Sequence, residues 1–363
     1  MYDLGIIPMA RTLSYIKGRL MEANKPTDIV WLQTSFLGDI VLTSAACRLA
    51  MDVFPQARHH LITTDIGAKC FDDFGFDQVL VFEKKSGVIK SFRKLKKALM
   101  KVVSNHNQTV LLQPHRSYRS SLLSAYLGFE TTTYRQTKFS FLAKRKVERV
   151  AIFHESARIG LLLEPHGVSR DQIISARPSL VVNESSKLGD TLLRRDGPVI
   201  GIAPGSVWAT KRWPIEKYTE LVATLLNRYS QSTVVLLGTE TERTLADQIS
   251  LAIDDGRIVN LAGKTSLDDL RGIYPKLSIL ISNDSSPIHY ASAFNIPTLA
   301  IFGATVPEMG FGPLADRSEV AEIKLDCRPC SDHGPTVCPL GHFKCMNDLS
   351  VEQVFLLGSK TLG

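Results

Sequence analysis

The chain has 363 residues, 44% of them hydrophobic and 22% charged, with a formal net charge of +7. This is ordinary globular composition, long enough for two domains and unlike a disordered or fibrous chain. No apolar stretch reaches the roughly 20 residues of a membrane-spanning helix, and the opening MYDLGIIPMARTLSYIKGRL lacks a signal-peptide layout, so a cytoplasmic protein is expected.

Residues 1–27 read as a plain N-terminal helix, with a short amphipathic helix on a membrane surface as the alternative. Short apolar runs at 28–34, 59–65, 78–84 and 109–115 read as strands, and 42–54 as a helix. Residues 90–101, KSFRKLKKALMK, leave an apolar stripe at Phe92, Leu95 and Leu99, the pattern of a solvated basic helix. The polar stretch 183–197 marks a boundary, after which strand and helix patterns alternate again from GPVIGIAPGS to PTLAIFG. Such alternation predicts two α/β domains, 1–190 and 191–363, each an open sheet of parallel β-α units with both faces covered. Ligands in such sheets sit beyond the carboxyl ends of the strands.

Four predicted strand exits carry polar residues suited to chemistry. In TSFLGDIVLTS, Gly38 allows a tight turn and close approach, and Asp39 stands at a helix mouth, either as a dipole partner of the helix or as a general base. In APGSVWATKRWPIEKY, backbone amides, Ser206 and Lys211 form a candidate anion site. In LLGTETER, Glu240 and Glu242 open a helix, either as dipole partners or as acceptors for ribose hydroxyls. In SNDSSPIHYASAF, Asp284, Ser285 and Ser286 precede a helix with Pro287 near its first turn. The Ser285 and Ser286 amides and hydroxyls suit a diphosphate, and His289, one turn in, can add a hydrogen bond or a charge.

The charge is uneven. Residues 1–190 hold 27 Lys+Arg against 17 Asp+Glu, a net +10, whereas residues 191–363 hold 16 against 19, a net −3. A basic first half suggests an anionic partner, while no aromatic-interleaved basic motif of a nucleic-acid binder is present. QPHRSYRSS and YRQTKFSF supply His115, Arg116, Arg119, Arg135 and Lys138, which can grip carboxylates or phosphates or simply lie on the surface.

FLGDIVLT, PGSVWATKRWP, NLAGKTSLDDL and SNDSSPIHYASAFNIPTLAIFGAT occur in the order and spacing of glycosyltransferase family 9, the ADP-heptose:lipopolysaccharide heptosyltransferases, and the chain resembles that family over about residues 28–357. The tail CRPCSDHGPTVCPLGHFKCMNDLSVEQV looks most like the heptosyltransferase II branch. The resemblance implies the GT-B type fold, two Rossmann-like domains facing across a cleft, with the acceptor on the first and the ADP-sugar on the second. It implies inverting transfer from ADP-heptose to Kdo-lipid A or heptosyl-Kdo₂-lipid A, by a monomer at the cytoplasmic surface of the inner membrane, with no nucleic acid. By the same resemblance Asp39 matches the catalytic base, Lys211 a donor-phosphate lysine, Glu240 the ribose acid, Asp284 an acid near the donor sugar and His289 a phosphate-binding histidine. Ser206 is expected near the diphosphate, and Ser286 stands where many members have glycine. The resemblance also makes the last helix a candidate to cross back to the first domain.

Cys327, Cys330, Cys338 and Cys345 crowd the tail. Their spacing leaves two alternatives, a structural zinc ion or iron–sulfur cluster and reduced thiols packed under the loop. No cofactor is expected in catalysis, and the chain has no Asp-x-Asp motif. Other functions consistent with the pattern are transfer of a hexose or N-acetylhexosamine, sugar-nucleotide 2-epimerisation, and non-catalytic nucleotide or nucleic-acid binding.

Overall fold

The computed structural model describes residues 25–83, 87–193 and 197–363; the helix expected over 1–27 falls almost wholly outside them. The first unit runs β1 Asp28–Gln33, α1 Leu37–Val53, β2 Arg58–Thr63, α2 Asp65–Cys70, β3 Gln78–Val81, α3 Val88–Leu99, β4 Thr109–Gln113, α4 Tyr118–Leu127, β5 Glu130–Tyr134 and β6 Arg145–Val147. The chain continues through α5 Glu155–Gly160, α6 Arg170–Ser175 and α7 Lys187–Leu193. The second unit runs β7 Val199–Ala203, α8 Ile215–Arg228, β8 Thr233–Leu236, α9 Arg243–Ile253, β9 Ile258–Asn260, α10 Leu267–Ile273, β10 Ile279–Asn283, α11 Ser286–Ala293, β11 Thr298–Phe302 and β12 Ser318–Glu322, and ends in α12 Lys344–Asn347 and α13 Val351–Leu362.

Both sheets are six-stranded and parallel, in the orders β3-β2-β1-β4-β5-β6 and β12-β11-β10-β7-β8-β9. Counted within each unit, these are one doubly wound order, and the topological switch falls between β1 and β4 and between β7 and β10. The reason is visible along β1. All six of its residues are buried, and alternate side chains enter different cores, Ile29 and Trp31 one, Val30 and Leu32 the other. A strand buried on both faces reads as continuously apolar and takes helices on each side. Helices α3 and α4 cover the outer core through Phe92, Leu95, Leu99, Leu123 and Leu127.

Three strands lie outside the apolar runs. β5, ETTTY, is almost fully buried although it is largely threonine. Its hydroxyls are satisfied: Thr133 donates to the Gln113 carbonyl at 3.0 Å and Thr132 is hydrogen-bonded to His166 at 2.9 Å. β6 and β12 are edge strands of mixed polarity.

Near the expected boundary, the chain meets the second unit from Asn183 onward, whose side chain donates to Asp268 at 2.9 Å. The last helix corrects an expectation. α13 stays on the second sheet rather than crossing back, with Gly358 in contact distance of Ile281 and Leu299 and Lys360 paired with Glu319. Its buried face, Val351, Val354 and Thr361, packs beside α8 and the second sheet.

Candidate active site

The exit of β1 is built by local hydrogen bonds. Gln33 donates to Thr43 at 2.9 Å and accepts from the Ser35 hydroxyl at 2.7 Å, tying the turn to the first helix. α1 starts behind Phe36, which offers no side-chain cap, and Asp39 is the acid of its first turn. Asp39 itself is half-buried. Burial raises its carboxyl to about 6, with the nearby Glu155 charge adding to the rise, against a hydrogen bond from Ser35 and the charges of Arg149 and Arg116. A carboxylate at that value is ionised at neutral pH yet basic enough to take a proton, as a general base requires.

On the second sheet, the exits of β7 and β10 are stitched together by buried Asn283. Its amide donates to the Pro204 carbonyl at 2.7 Å, and its oxygen accepts from the Trp213 backbone and the Tyr218 hydroxyl, each at 3.1 Å. This holds the Pro204–Ser206 turn beside Asp284. One oxygen of buried Asp284 accepts from Lys211 Nζ and from Thr305, both at 2.6 Å. Lys211 is therefore already paired, and its charge is partly offset before any anion arrives. Ser206 is buried, Ser285 is the N-cap residue of α11, and Ser286 is its first residue. An arriving diphosphate would meet the free amides of that helix end.

His289 belongs to α11 but abuts the first unit. A Cβ on Gly38 would lie 2.9 Å from His289 Cδ2 and 3.9 Å from Ser286 Cα, so the starts of α1 and α11 face each other in contact. The imidazole is buried, and desolvation, aided by His154 and Lys211, lowers it to about 3. At that value the imidazole is uncharged at neutral pH. Its buried Nδ1 has no hydrogen-bond partner among the described residues.

Three further contacts join the units beside this point. His154 Nε2 is hydrogen-bonded to the Gly312 carbonyl at 3.0 Å, Glu155 N–H donates to Gly310 at 2.8 Å, and Arg158 donates to Met309 at 2.8 Å. Glu155 pairs with Arg158 at 3.1 Å and with Arg149. Sequence reasoning missed this Arg149–Glu155–Arg158 group. The one signal was FHESARIG, which opens α5 with His-Glu-Ser, but its charges reach Asp39 only through the tertiary fold.

Glu240 and Glu242 separate cleanly. Glu242 accepts from both the backbone and the hydroxyl of Thr239 at 2.8 Å, closing a capping box, and its side chain fills the space over Gly205. Glu240 lies over Gly263 with only a loose pairing to Arg243 at 3.6 Å, which leaves its carboxylate free to accept from a ligand.

The acceptor candidates are placed unevenly. His115 is half-buried in a network with Thr34 at 2.9 Å and Ser120 at 3.2 Å, so its ring is committed to the fold. Arg116, Arg119, Arg135 and Lys138 are exposed, and of these Arg116 acts on Asp39.

The tail packs against the donor loop. Trp208 stacks on His333 with centroids 6.4 Å apart, Thr210 donates to the Pro335 carbonyl, and Gly334 lies against Lys211. None of the four tail cysteines is in a disulfide, and Cys345 is buried. The backbone N–H of Phe343, then those of Leu340, Gly341 and His342, point at Cys338 and lower its thiol. Among the described residues no three Cys, His, Asp or Glu side chains converge as a metal-ligand group. No described helix is long and apolar enough to cross a membrane.

The family model for glycosyltransferase family 9 (heptosyltransferase) matches residues 98–339. Lipooligosaccharide heptosyltransferase 2 of Campylobacter jejuni serotype O:2 is 25% identical over 325 residues, 88% of this chain and 93% of that protein. Among solved structures, a family 9 glycosyltransferase from Veillonella parvula aligns with a TM-score of 0.79 at 19% identity, covering 93% of this chain and 98% of the other. The ADP-heptose LPS heptosyltransferase II of E. coli aligns with a TM-score of 0.73 at 21% identity, covering 92% and 98%.

Proposed function

This chain belongs to glycosyltransferase family 9, and from that premise we propose that it transfers a heptosyl unit from ADP-heptose to the lipopolysaccharide inner core, at the second-heptose position and on the cytoplasmic face of the inner membrane. The names carried by its relatives support the donor and acceptor classes. The observation that carries the chemistry is the facing of α1 and α11, with an ionised carboxylate on one side and diphosphate-type donors on the other.

The transfer is a single inverting displacement. Asp39 takes the proton of an acceptor hydroxyl while that oxygen attacks the anomeric carbon and the bond to the diphosphate breaks. Negative charge grows on the departing ADP. The amides of Ser285 and Ser286, the Ser206 turn and Lys211 meet it where it develops, and neutral His289 contributes a hydrogen bond. Lys211 supplies most when it exchanges Asp284 for the phosphate, which leaves Asp284 turned toward the donor sugar. Glu240 accepts from the ribose. Because cationic and amide donors already face the diphosphate, turnover should survive chelation of divalent metal.

The test is a donor screen by thermal shift with ADP-heptose, UDP-sugars and GDP-sugars, followed by turnover on Kdo₂-lipid A and on its mono-heptosylated form. Stabilisation by ADP-heptose alone and turnover on the mono-heptosylated acceptor are expected. A preference for another nucleotide overturns the donor assignment, and turnover on Kdo₂-lipid A alone overturns the second-heptose position.

A further inference from the structure

Residues 87–146 hold 13 Lys and Arg but a single acid, Glu130. That acid is already paired with Lys144 at 2.5 Å and with Arg145. The concentration exceeds the surplus of the whole chain, +7, so this segment dominates the charge asymmetry. It builds α3, α4 and the turn at Phe139–Leu142, which form one continuous surface. Lys96 donates to the Tyr126 carbonyl at 2.8 Å, and Phe92 meets the Tyr126 ring at 5.8 Å, joining α3 to α4. Ser121 donates to the Lys138 carbonyl at 2.6 Å, joining α4 to the turn.

The same surface exposes apolar side chains where a solvated basic face would carry polar ones. Tyr118, Leu122 and Tyr126 repeat every four residues as one exposed stripe of α4. Phe141 is 72% exposed at the turn beside half-exposed Phe139, and Ile89 is 70% exposed at the start of α3. A pure electrostatic footprint explains the lysines but not this rim of rings and aliphatics. Aromatic and aliphatic side chains interleaved with Lys and Arg are the composition that settles at a lipid–water boundary, rings at headgroup depth and cations toward anionic phosphates.

We propose that the face formed by α3, α4 and residues 139–142 docks on an anionic lipid bilayer. Complementary charge selects the occupant, and the exposed rings supply the insertion that a soluble polyanion would not need. The surface adjoins the β4 exit, which carries Arg116, a residue whose charge acts on Asp39. On the functional reading above, a membrane-held acceptor would then meet the carboxylate without leaving its leaflet; only this last link rests on that reading.

The experiment is co-sedimentation of the full chain with phosphatidylcholine vesicles, with and without phosphatidylglycerol. Binding is expected only to the anionic vesicles and is expected to fall steeply with added salt. Phe141→Ser with Leu122→Ser, and separately Lys90→Glu with Lys97→Glu, should each weaken it at least ten-fold. Turnover on a de-acylated, water-soluble acceptor should be unchanged in these variants, which shows that they fold. Equal binding to both vesicle types, no binding, no response to either pair, or tighter retention on duplex DNA than on anionic vesicles overturns the proposal. The sedimentation, and a circular-dichroism check of each variant's fold, contain no sugar nucleotide, so failure of the donor assignment leaves the proposal standing, and an active enzyme that ignores vesicles loses only the docking face.

Discussion

His289 lies against Gly38 so closely that a single added methyl on the glycine would come within 2.9 Å of the imidazole. The two residues come from different sheets, and each is one position or one helical turn from a group placed in the chemistry. Gly38 precedes Asp39, and His289 follows the Ser285–Ser286 helix opening. Alanine at Gly38 must displace the His289 imidazole or part α1 and α11 slightly. A misplacement of about 1 Å between reacting groups can cost on the order of 10²-fold in rate, which bounds the effect from above. Gly38→Ala is therefore expected to lower kcat, by less than that factor, with a smaller effect on ADP-heptose binding measured by calorimetry. Unchanged kcat would mean that the contact is not what sets the spacing of the two halves.

Asp39→Ala should lower turnover by about 10²–10⁴-fold with donor binding retained. The pH profile carries more information. With its carboxyl at about 6, Asp39 is charged above that pH and protonated below it, so kcat/KM should fall on the acid side with a midpoint near 6. Glu155→Gln removes a negative neighbour and leaves Arg149 unopposed. Both changes favour the ionised form of Asp39, so the acid limb should move to lower pH. The variant loses a buried ion pair and will be less stable, so the profile is read at a temperature where circular dichroism shows it folded. An acid limb that stays near 6 would remove Glu155 from the tuning of the base.

The β-strands that carry these residues were largely legible, and the reason is physical. β1, β4, β7, β10 and β11 are buried on every residue and read as unbroken apolar runs, so their ends, and the polar residues just past them, stand out. β5 was not legible because its threonines are buried by hydrogen bonding rather than by apolarity. Asp39, Lys211, Asp284 and His289 could be picked from local strand–turn–helix patterns. That Lys211 is neutralised by Asp284, 73 positions along the chain, could not. The influence of Glu155 on Asp39 is hidden for the same reason, since it depends on α5 packing beside α1.

Glu240 and Glu242 are two residues apart but should fail in different ways. Glu242 closes the cap on Thr239, and losing such a cap costs about 0.5–2 kcal/mol. Glu242→Ala, which removes the acceptor altogether, should lower the melting temperature with donor affinity nearly kept. Among the described residues Glu240 has a 3.6 Å pairing with Arg243 and no closer bond, so Glu240→Gln should leave the melting temperature alone and weaken ADP binding several-fold. Calorimetry with ADP and thermal melts on both variants read the difference directly, and a swap of the two outcomes would move the ribose role to Glu242.

Lys211→Met should weaken the donor complex by roughly 10–100-fold, the range expected for losing a hydrogen bond to a charged group. It also leaves Asp284 with Thr305 as its remaining partner, so a second, indirect probe is useful. Gly334 provides it from the tail. The residue has φ +81 and lies 3.3 Å, as a notional Cβ, from two carbons of the Lys211 side chain. Gly334→Val imposes a left-handed backbone cost of about 1–2 kcal/mol and presses on the lysine stem. Donor KM should rise and kcat should fall with it, because the displaced lysine both holds the donor and meets the charge that develops on the leaving diphosphate. If KM does not move, the tail serves the stability of the second sheet rather than the placement of Lys211.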